Sequence, residues 1–139
     1  MSGTDQPTMH TQVQHPMLGR VPLCRSCGAI TKRRRILSRN RNGNAGRPMY
    51  KCMRCNKFAC FGDIRGVQQS NPVCFCKGNM PSRAQVSRHE EGWANSRTVH
   101  YRCASRECDF WKPIKDVDGK VVRLAVGCLD VKEAKGMGV

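Results

Sequence analysis

The chain contains Pro22-Leu23-Cys24-Arg25-Ser26-Cys27-Gly28, and a similar stretch, Pro72-Val73-Cys74-Phe75-Cys76, follows fifty positions later. Polar and basic residues follow each close cysteine pair, and then an aromatic residue precedes a second pair by two positions. These later landmarks are Tyr50-Lys51-Cys52 and Tyr101-Arg102-Cys103. Self-similarity at a period of this length predicts two small modules built on the same pattern.

The repeat groups eight of the ten cysteines into two tetrads, Cys24/Cys27/Cys52/Cys55 and Cys74/Cys76/Cys103/Cys108. Only 39% of the 139 residues are hydrophobic and 6% aromatic, so each module has too little apolar surface to fold by burial alone. Four thiolates form a closed tetrahedral shell around Zn²⁺. We therefore expect one zinc ion in each module.

Disulfides are the alternative use of these cysteines, in a small secreted scaffold. The segment 1–19 has no apolar run typical of a secretory signal, and no stretch of the chain reaches membrane-spanning length. These observations favour an intracellular protein without membrane association, in which paired cysteines are more often metal ligands.

The fourth ligand of the first site is open between two cysteines. Cys55 forms a knuckle with Cys52 and is favoured, whereas Cys60 gives a longer spacing. Cys128 lies outside both repeats and is interpreted as a free thiol.

The chain divides into a flexible arm (1–19), a first zinc finger (20–67), a second zinc finger (71–118), and a C-terminal strand with a fraying tail (119–139). No convincing amphipathic helix is visible, and His10 and His15 have no expected role. Turn-bounded segments with partial alternation predict strands. These segments are Thr31–Leu37, Met49–Met53, Ala84–Arg88, Thr98–Arg102 and Lys120–Val126. The expected fold is two tandem, β-rich, antiparallel-sheet modules.

The net charge is +15, and the first module carries most of it: residues 20–66 hold thirteen Lys and Arg against the single acidic residue Asp63. Such an asymmetry indicates a polyanionic partner, most plausibly nucleic acid. The candidate phosphate contacts are Lys32, Arg33, Arg34, Arg35, Arg39, Arg41, Arg47 and Lys51. A solvated face or a nuclear-import signal is the alternative interpretation of residues 32–35.

Aromatic rings could add base stacking, and Trp93 in a polar loop is the best candidate. Tyr50, Tyr101 and Phe110 are expected instead to pack over the metal sites. The group His89, Glu90 and Glu91 has no nucleophile near it in sequence, so we predict no catalytic residues.

The segment Asn44-Ala45-Gly46-Arg47-Pro48-Met49-Tyr50-Lys51-Cys52, with the earlier Pro22–Gly28, resembles the GRF-type zinc finger. Unit two resembles it through Pro72–Cys76, Asn95–Cys103 and Cys108-Asp109-Phe110-Trp111, although it lacks the glycine before its arginine. The resemblance implies a zinc-stabilised β-sheet that binds single-stranded nucleic acid, usually attached to enzymes of DNA repair, DNA topology or transcription. Within that motif, Arg47 is the favoured contact.

The sequence therefore predicts a non-enzymatic protein with two zinc ions that binds single-stranded DNA or RNA. Nuclear DNA-processing proteins are expected partners, and the basic run suggests a nuclear location. The alternative is a protein-interaction adaptor whose basic face docks on acidic protein surfaces. A zinc-dependent hydrolase is disfavoured because two closed thiolate shells leave no position for a catalytic water.

Overall fold

The computed structural model describes residues 14–87, 97–124 and 129–139. The first sheet contains three antiparallel strands in chain order, β1 (Thr31–Arg35), β2 (Pro48–Cys52) and β3 (Phe58–Phe61). The second sheet follows the order β4 (Arg83–Val86), β5 (Arg97–Arg102), β6 (Trp111–Pro113), and β7 (Arg123–Leu124) also pairs with β5. The helix α1 spans Val131–Gly136. Two antiparallel sheets with little helix confirm the predicted fold class.

Four of the predicted strands correspond to β1, β2, β4 and β5, within a few residues at each end. Residues 125 and 126, the end of the fifth predicted strand, lie outside the described residues, and only β7 forms before them. Strands β3 and β6 were not predicted from the sequence. Both follow a second cysteine pair directly and are three or four residues long, too short for a period to be visible.

A register shift between Tyr50 and Lys51 changes which residues of β3 point to the same face of the sheet. Lys51 pairs with Phe58 and Met49 pairs with Phe61, although two residues separate the phenylalanines. Residues directly opposite each other in a sheet point to the same face. The bulge therefore places both phenylalanine rings on one face, where their centroids lie 5.0 Å apart, edge to face.

The second sheet has one apolar and one polar face. Ala84 and Val99 alternate onto the apolar face, where they form a buried cluster with Leu129, Ala134 and Val139 from the C-terminal segment. The opposite face carries Arg83, Gln85, His100 and Arg102, which the register of β4 and β5 places side by side. This polar face is turned toward the first module.

Asp63 is the centre of the contact between the modules. Its carboxylate accepts hydrogen bonds from Arg47 Nε at 2.9 Å and from Arg83 Nη1 at 2.7 Å. The side chains of these two arginines are 2% and 0% exposed. Arg65, from the same turn, donates to Asn44 Oδ1 at 2.9 Å. We call Arg47, Asp63, Arg65 and Arg83 the polar centre.

The short segment between the two predicted zinc fingers is held at its end by Asn71. Its side-chain amide donates to Gly66 O at 2.8 Å and to Ser82 O at 2.7 Å. Because Gly66 ends the first module and Ser82 lies in the second, these two hydrogen bonds fix the connection between the repeats.

The arm predicted to be flexible through residue 19 packs on the first module from residue 14 onward. His15 is fully buried, its Nε2 lies 2.9 Å from Phe61 O, and its ring is 6.0 Å from that of Tyr50. The expectation that His15 has no role was therefore wrong. A single histidine among polar residues carries no periodic signal that could have revealed this contact.

The tail predicted to fray instead forms α1. Asp130 and Glu133 make a reciprocal capping box, which satisfies free amide groups at the start of the helix. Ala134 is buried against Gly43, where a β-carbon would lie 2.7 Å from that of Ala134, and Leu129 N donates to Arg41 O at 2.8 Å. The C-terminal segment thus contacts both modules.

Among the described residues, no helix has the length and apolar character that a membrane span requires.

Candidate metal centres and basic face

The first four-cysteine cluster brings a loop and a strand together. Cys24 and Cys27 come from the loop before β1, and Cys52 and Cys55 come from the end of β2 and its turn. Their four sulfurs lie within 4.8 Å of one another, with 3.6 Å between Cys24 and Cys55. A tetrahedral zinc with bonds of about 2.3 Å places its sulfurs about 3.8 Å apart. The cluster therefore fits one zinc ion.

The second cluster has the same plan. Cys74 and Cys76 precede β4, Cys103 follows β5, and Cys108 lies in the next turn, again with all sulfurs within 4.8 Å. Phe110 packs against Cys74 and Cys103, as the sequence predicted for a ring beside the ligands. Each of the two clusters could hold one zinc ion, as expected from the repeat.

Backbone amides in the first cluster favour the thiolate form of Cys52. The amides of Arg54 and Cys55 point at Cys52 Sγ from 3.3 and 3.4 Å, and these donors lower the pKa of that thiol to about 6. Thiolate is the form that binds metal.

Cys60, the competing fourth ligand, lies in the core of the first sheet beside Tyr50 and outside the cluster. Burial raises its pKa to about 12, so it stays a neutral thiol. Among the described residues no cysteine forms a disulfide. Cys128 lies outside the described residues.

Comparison with known families now identifies the first unit. Residues 21–65 match the GRF-like zinc ribbon domain. The predicted resemblance is confirmed for this unit, and the cluster of residues 74–108 could form a further zinc site of the same kind. No curated protein and no solved structure gives a significant match to the chain.

The face of the first sheet that carries Phe58 and Phe61 is basic. Lys32 pairs directly with Lys51, and Arg34 pairs with Met49. Because of the bulge in β3, the ring of Phe58 shares this face next to Lys51 and is 39% exposed. We call Lys32, Arg34, Lys51 and Phe58 the basic face.

The arginine run is divided between two faces because neighbouring residues of a strand alternate. Arg33 pairs with Tyr50 and is half-buried on the core side, and Arg35 pairs with Pro48 on that same side. The Arg35 guanidinium donates from Nη1 to Gly46 O at 2.9 Å. Of the four predicted residues in this run, Lys32 and Arg34 therefore lie on the basic face.

Arg47, the favoured nucleic-acid contact, is buried in the polar centre. Its guanidinium bonds to both Asp63 oxygens, to Asn44 and to the carbonyl of Arg65, and it lies 3.6 Å above the centroid of the Phe61 ring. Burial lowers its pKa, whereas the bonds to Asp63 oppose that shift. These contacts use its donors internally, which argues against the predicted role in binding phosphate.

The remaining candidates are dispersed. Arg39 and Arg41 are exposed in the connection between β1 and β2, away from the paired lysines in sequence. Trp93, together with His89, Glu90 and Glu91, lies outside the described residues. Phe58 was missed in the sequence analysis, because only the register shift in β3 places it beside Lys51.

Proposed function

We propose that this protein binds single-stranded nucleic acid through its basic face and that its zinc ions are structural. The proposal is carried by one observation, the direct pairing of Lys32 with Lys51 across β1 and β2. Like charges placed opposite each other destabilise a sheet. A bound anion would offset this repulsion.

The spacing of the charges favours an extended polyanion over a single small anion. Arg34 lies two residues along β1 from Lys32, on the same face and about 7 Å away in an extended strand. Cations spaced in this way can neutralise successive phosphates of one strand.

Phe58 supports a preference for unpaired bases. Its exposed ring lies beside Lys51, so a base next to a bound phosphate could stack on it. Stacking on an aromatic side chain contributes about 1–3 kcal/mol per base and requires a base that is free of its duplex partner.

We assign the metal no catalytic role. Four thiolates complete the zinc shell, and a catalytic zinc needs an open position for water or substrate. The zinc ions would hold the loops that begin and end the strands of the basic face. A nuclear location and contacts with DNA-processing proteins agree with this proposal and remain predictions.

The test measures fluorescence anisotropy of the zinc-loaded protein with single-stranded DNA, single-stranded RNA and duplex DNA of equal length over a salt series. In Lys32→Ala/Lys51→Ala, the slope of log K against log salt should fall by about 1.4, since each contact with a single strand adds about 0.7. The control, Lys115→Ala/Lys120→Ala, removes two exposed charges from a distant turn.

An unchanged slope in the first double variant, with zinc content intact, would refute the role of the basic face. If the wild-type protein bound no strand, and captured acidic proteins after nuclease treatment, the adaptor interpretation would replace this proposal.

A further inference from the structure

A groove of about 370 Å³ lies between the first module and the polar face of the second sheet, and Phe58 is the residue of the basic face that lines it. One wall is formed by Phe58, Phe61 and Ile36 of the first module. The facing wall contains Gln85, His100 and Arg102 of the second module. Its volume lies within the range of about 300–1,000 Å³ that is usual for small-ligand sites.

Two buried polar side chains face this groove without a partner. Gln85 and His100 are directly opposite on β4 and β5, and they are 9% and 8% exposed. In the described part of the chain, neither side chain has a hydrogen-bond partner. Neither is among the described residues whose polar atoms are sealed from solvent without a partner, so a molecule in the groove can reach both side chains. Their position suggests that a ligand supplies the missing bonds.

The chemistry of this pair is complementary to the edge of a nucleobase. The amide of Gln85 offers donors and an acceptor. Burial, followed by the charges of Arg102 and Arg106, lowers the pKa of His100 to about 4, so its neutral ring also has one donor and one acceptor. The Trp111 ring stacks on His100 at 5.7 Å and fixes its plane.

Other residues of the groove could contact the ring face of a base and a phosphate group. The exposed ring of Phe58 gives a surface on which a base can stack. Arg102 and Arg106 also line the groove, and guanidinium groups bind phosphate oxygens well. An aromatic surface, a polar edge and cations together characterise recognition of single-stranded bases.

We propose that the groove between the two modules binds one unstacked base of the strand that lies on the basic face. This inference rests on the proposed function and adds a base-recognising site to it. The basic face would hold phosphates regardless of sequence, whereas Gln85 and His100 would contact the base edge. Both modules contribute to the site, so neither repeat forms it alone.

The first arm of the experiment uses the wild-type protein in its zinc-loaded form. Anisotropy is measured with homopolymers of each base, as DNA and as RNA, and with a strand of equal length carrying abasic residues at alternate positions. Removal of bases should weaken binding at least about fivefold, with a salt slope unchanged, and the homopolymers should differ in affinity. The DNA and RNA arms distinguish the two sources of the base.

The second arm uses Gln85→Met, which keeps the size of the side chain and removes its polar atoms. We expect the differences among homopolymers to shrink at least about threefold, while the melting temperature does not fall. Gln69→Met, at an exposed glutamine in the connecting segment, is the matched control and should behave as wild type.

If the wild-type protein bound intact and abasic strands with equal affinity and a steep salt slope, the groove site would be refuted. The proposed binding of phosphates by the basic face would not be. Unchanged discrimination among bases in Gln85→Met would also refute the groove site. Absence of binding to every strand would overturn both proposals.

Discussion

Replacing Asp63 by asparagine should strongly destabilise the protein, because this carboxylate is shared by two buried guanidinium groups. Arg47 and Arg83 contact it at 2.9 and 2.7 Å, and their side chains are 2% and 0% exposed. Asparagine keeps the size of the side chain but removes its charge. Both cations would then remain buried without a counter-charge.

The expected magnitude follows from the burial of the two arginines. Breaking one buried ion pair by removing a partner costs about 3–5 kcal/mol. Since two cations lose their partner here, we expect the upper end, about 5 kcal/mol. The total stability of a small domain is about 5–15 kcal/mol, so a large share of the protein would unfold.

The assay is urea unfolding of zinc-loaded protein, followed by circular dichroism, with metal content measured in parallel. Asp109→Asn is the control, because Asp109 pairs with Arg25 while its own side chain is 85% exposed. Such an exposed pair contributes about 1 kcal/mol or less. Asp63→Asn combined with Arg83→Met should recover part of the loss, since it removes one of the unpaired charges.

A loss for Asp63→Asn no larger than that of Asp109→Asn would refute this reasoning. It would mean that water reaches the two arginines and that the polar centre does not join the modules.

Three further predictions concern the metal, the N-terminal contact and pH. Chelation should unfold the chain, since binding to a site of this kind supplies about 10–16 kcal/mol; native-like circular dichroism in metal-free protein would contradict it. His15→Ala should lower stability in urea by about 0.5–1.5 kcal/mol, since the carbonyl of Phe61 loses its closer hydrogen bond and keeps only the one from Arg83 Nη2 at 3.5 Å; Gln14→Ala at the exposed neighbour should have no effect. The pKa of His100 is lowered to about 4 in the folded protein, whereas its ordinary value is 6.5. The free energy that the neutral His100 contributes to folding is therefore fully present above pH 6.5 and is lost as the pH falls from 6.5 to 4, because the unfolded chain takes up the proton first. Stability curves of wild type and His100→Gln should therefore converge over this window, and parallel curves would count against the burial of His100.

The cysteine spacing predicted most of what the structure contains. It indicated two β-rich modules, the two clusters, the strand that carries Cys52 and the strand that ends just before Cys103, because a close cysteine pair is a local feature. The contribution of Arg47 was misjudged for a physical reason: its partner Asp63 lies sixteen residues away. Sequence spacing alone gives no measure of such a contact.

The sequence did not predict the groove residues either. Gln85 and His100 look like ordinary polar positions on half-exposed strands, and only the pairing of β4 with β5 places them together. Their burial then depends on the first module, which lies against the polar face. Interpretation of each repeat by itself would assign both residues to solvent.

The irregularity in β3 links the side on which its aromatic rings lie to the number of residues between them. Phe58 and Phe61 face the same way only because one strand carries an additional residue between them. Deleting Ala59 would remove this additional residue and leave the two phenylalanines two positions apart, so a regular strand would keep both rings on one face. Related chains without the bulge should therefore carry their aromatic residues two positions apart, with a gap of one position at Ala59.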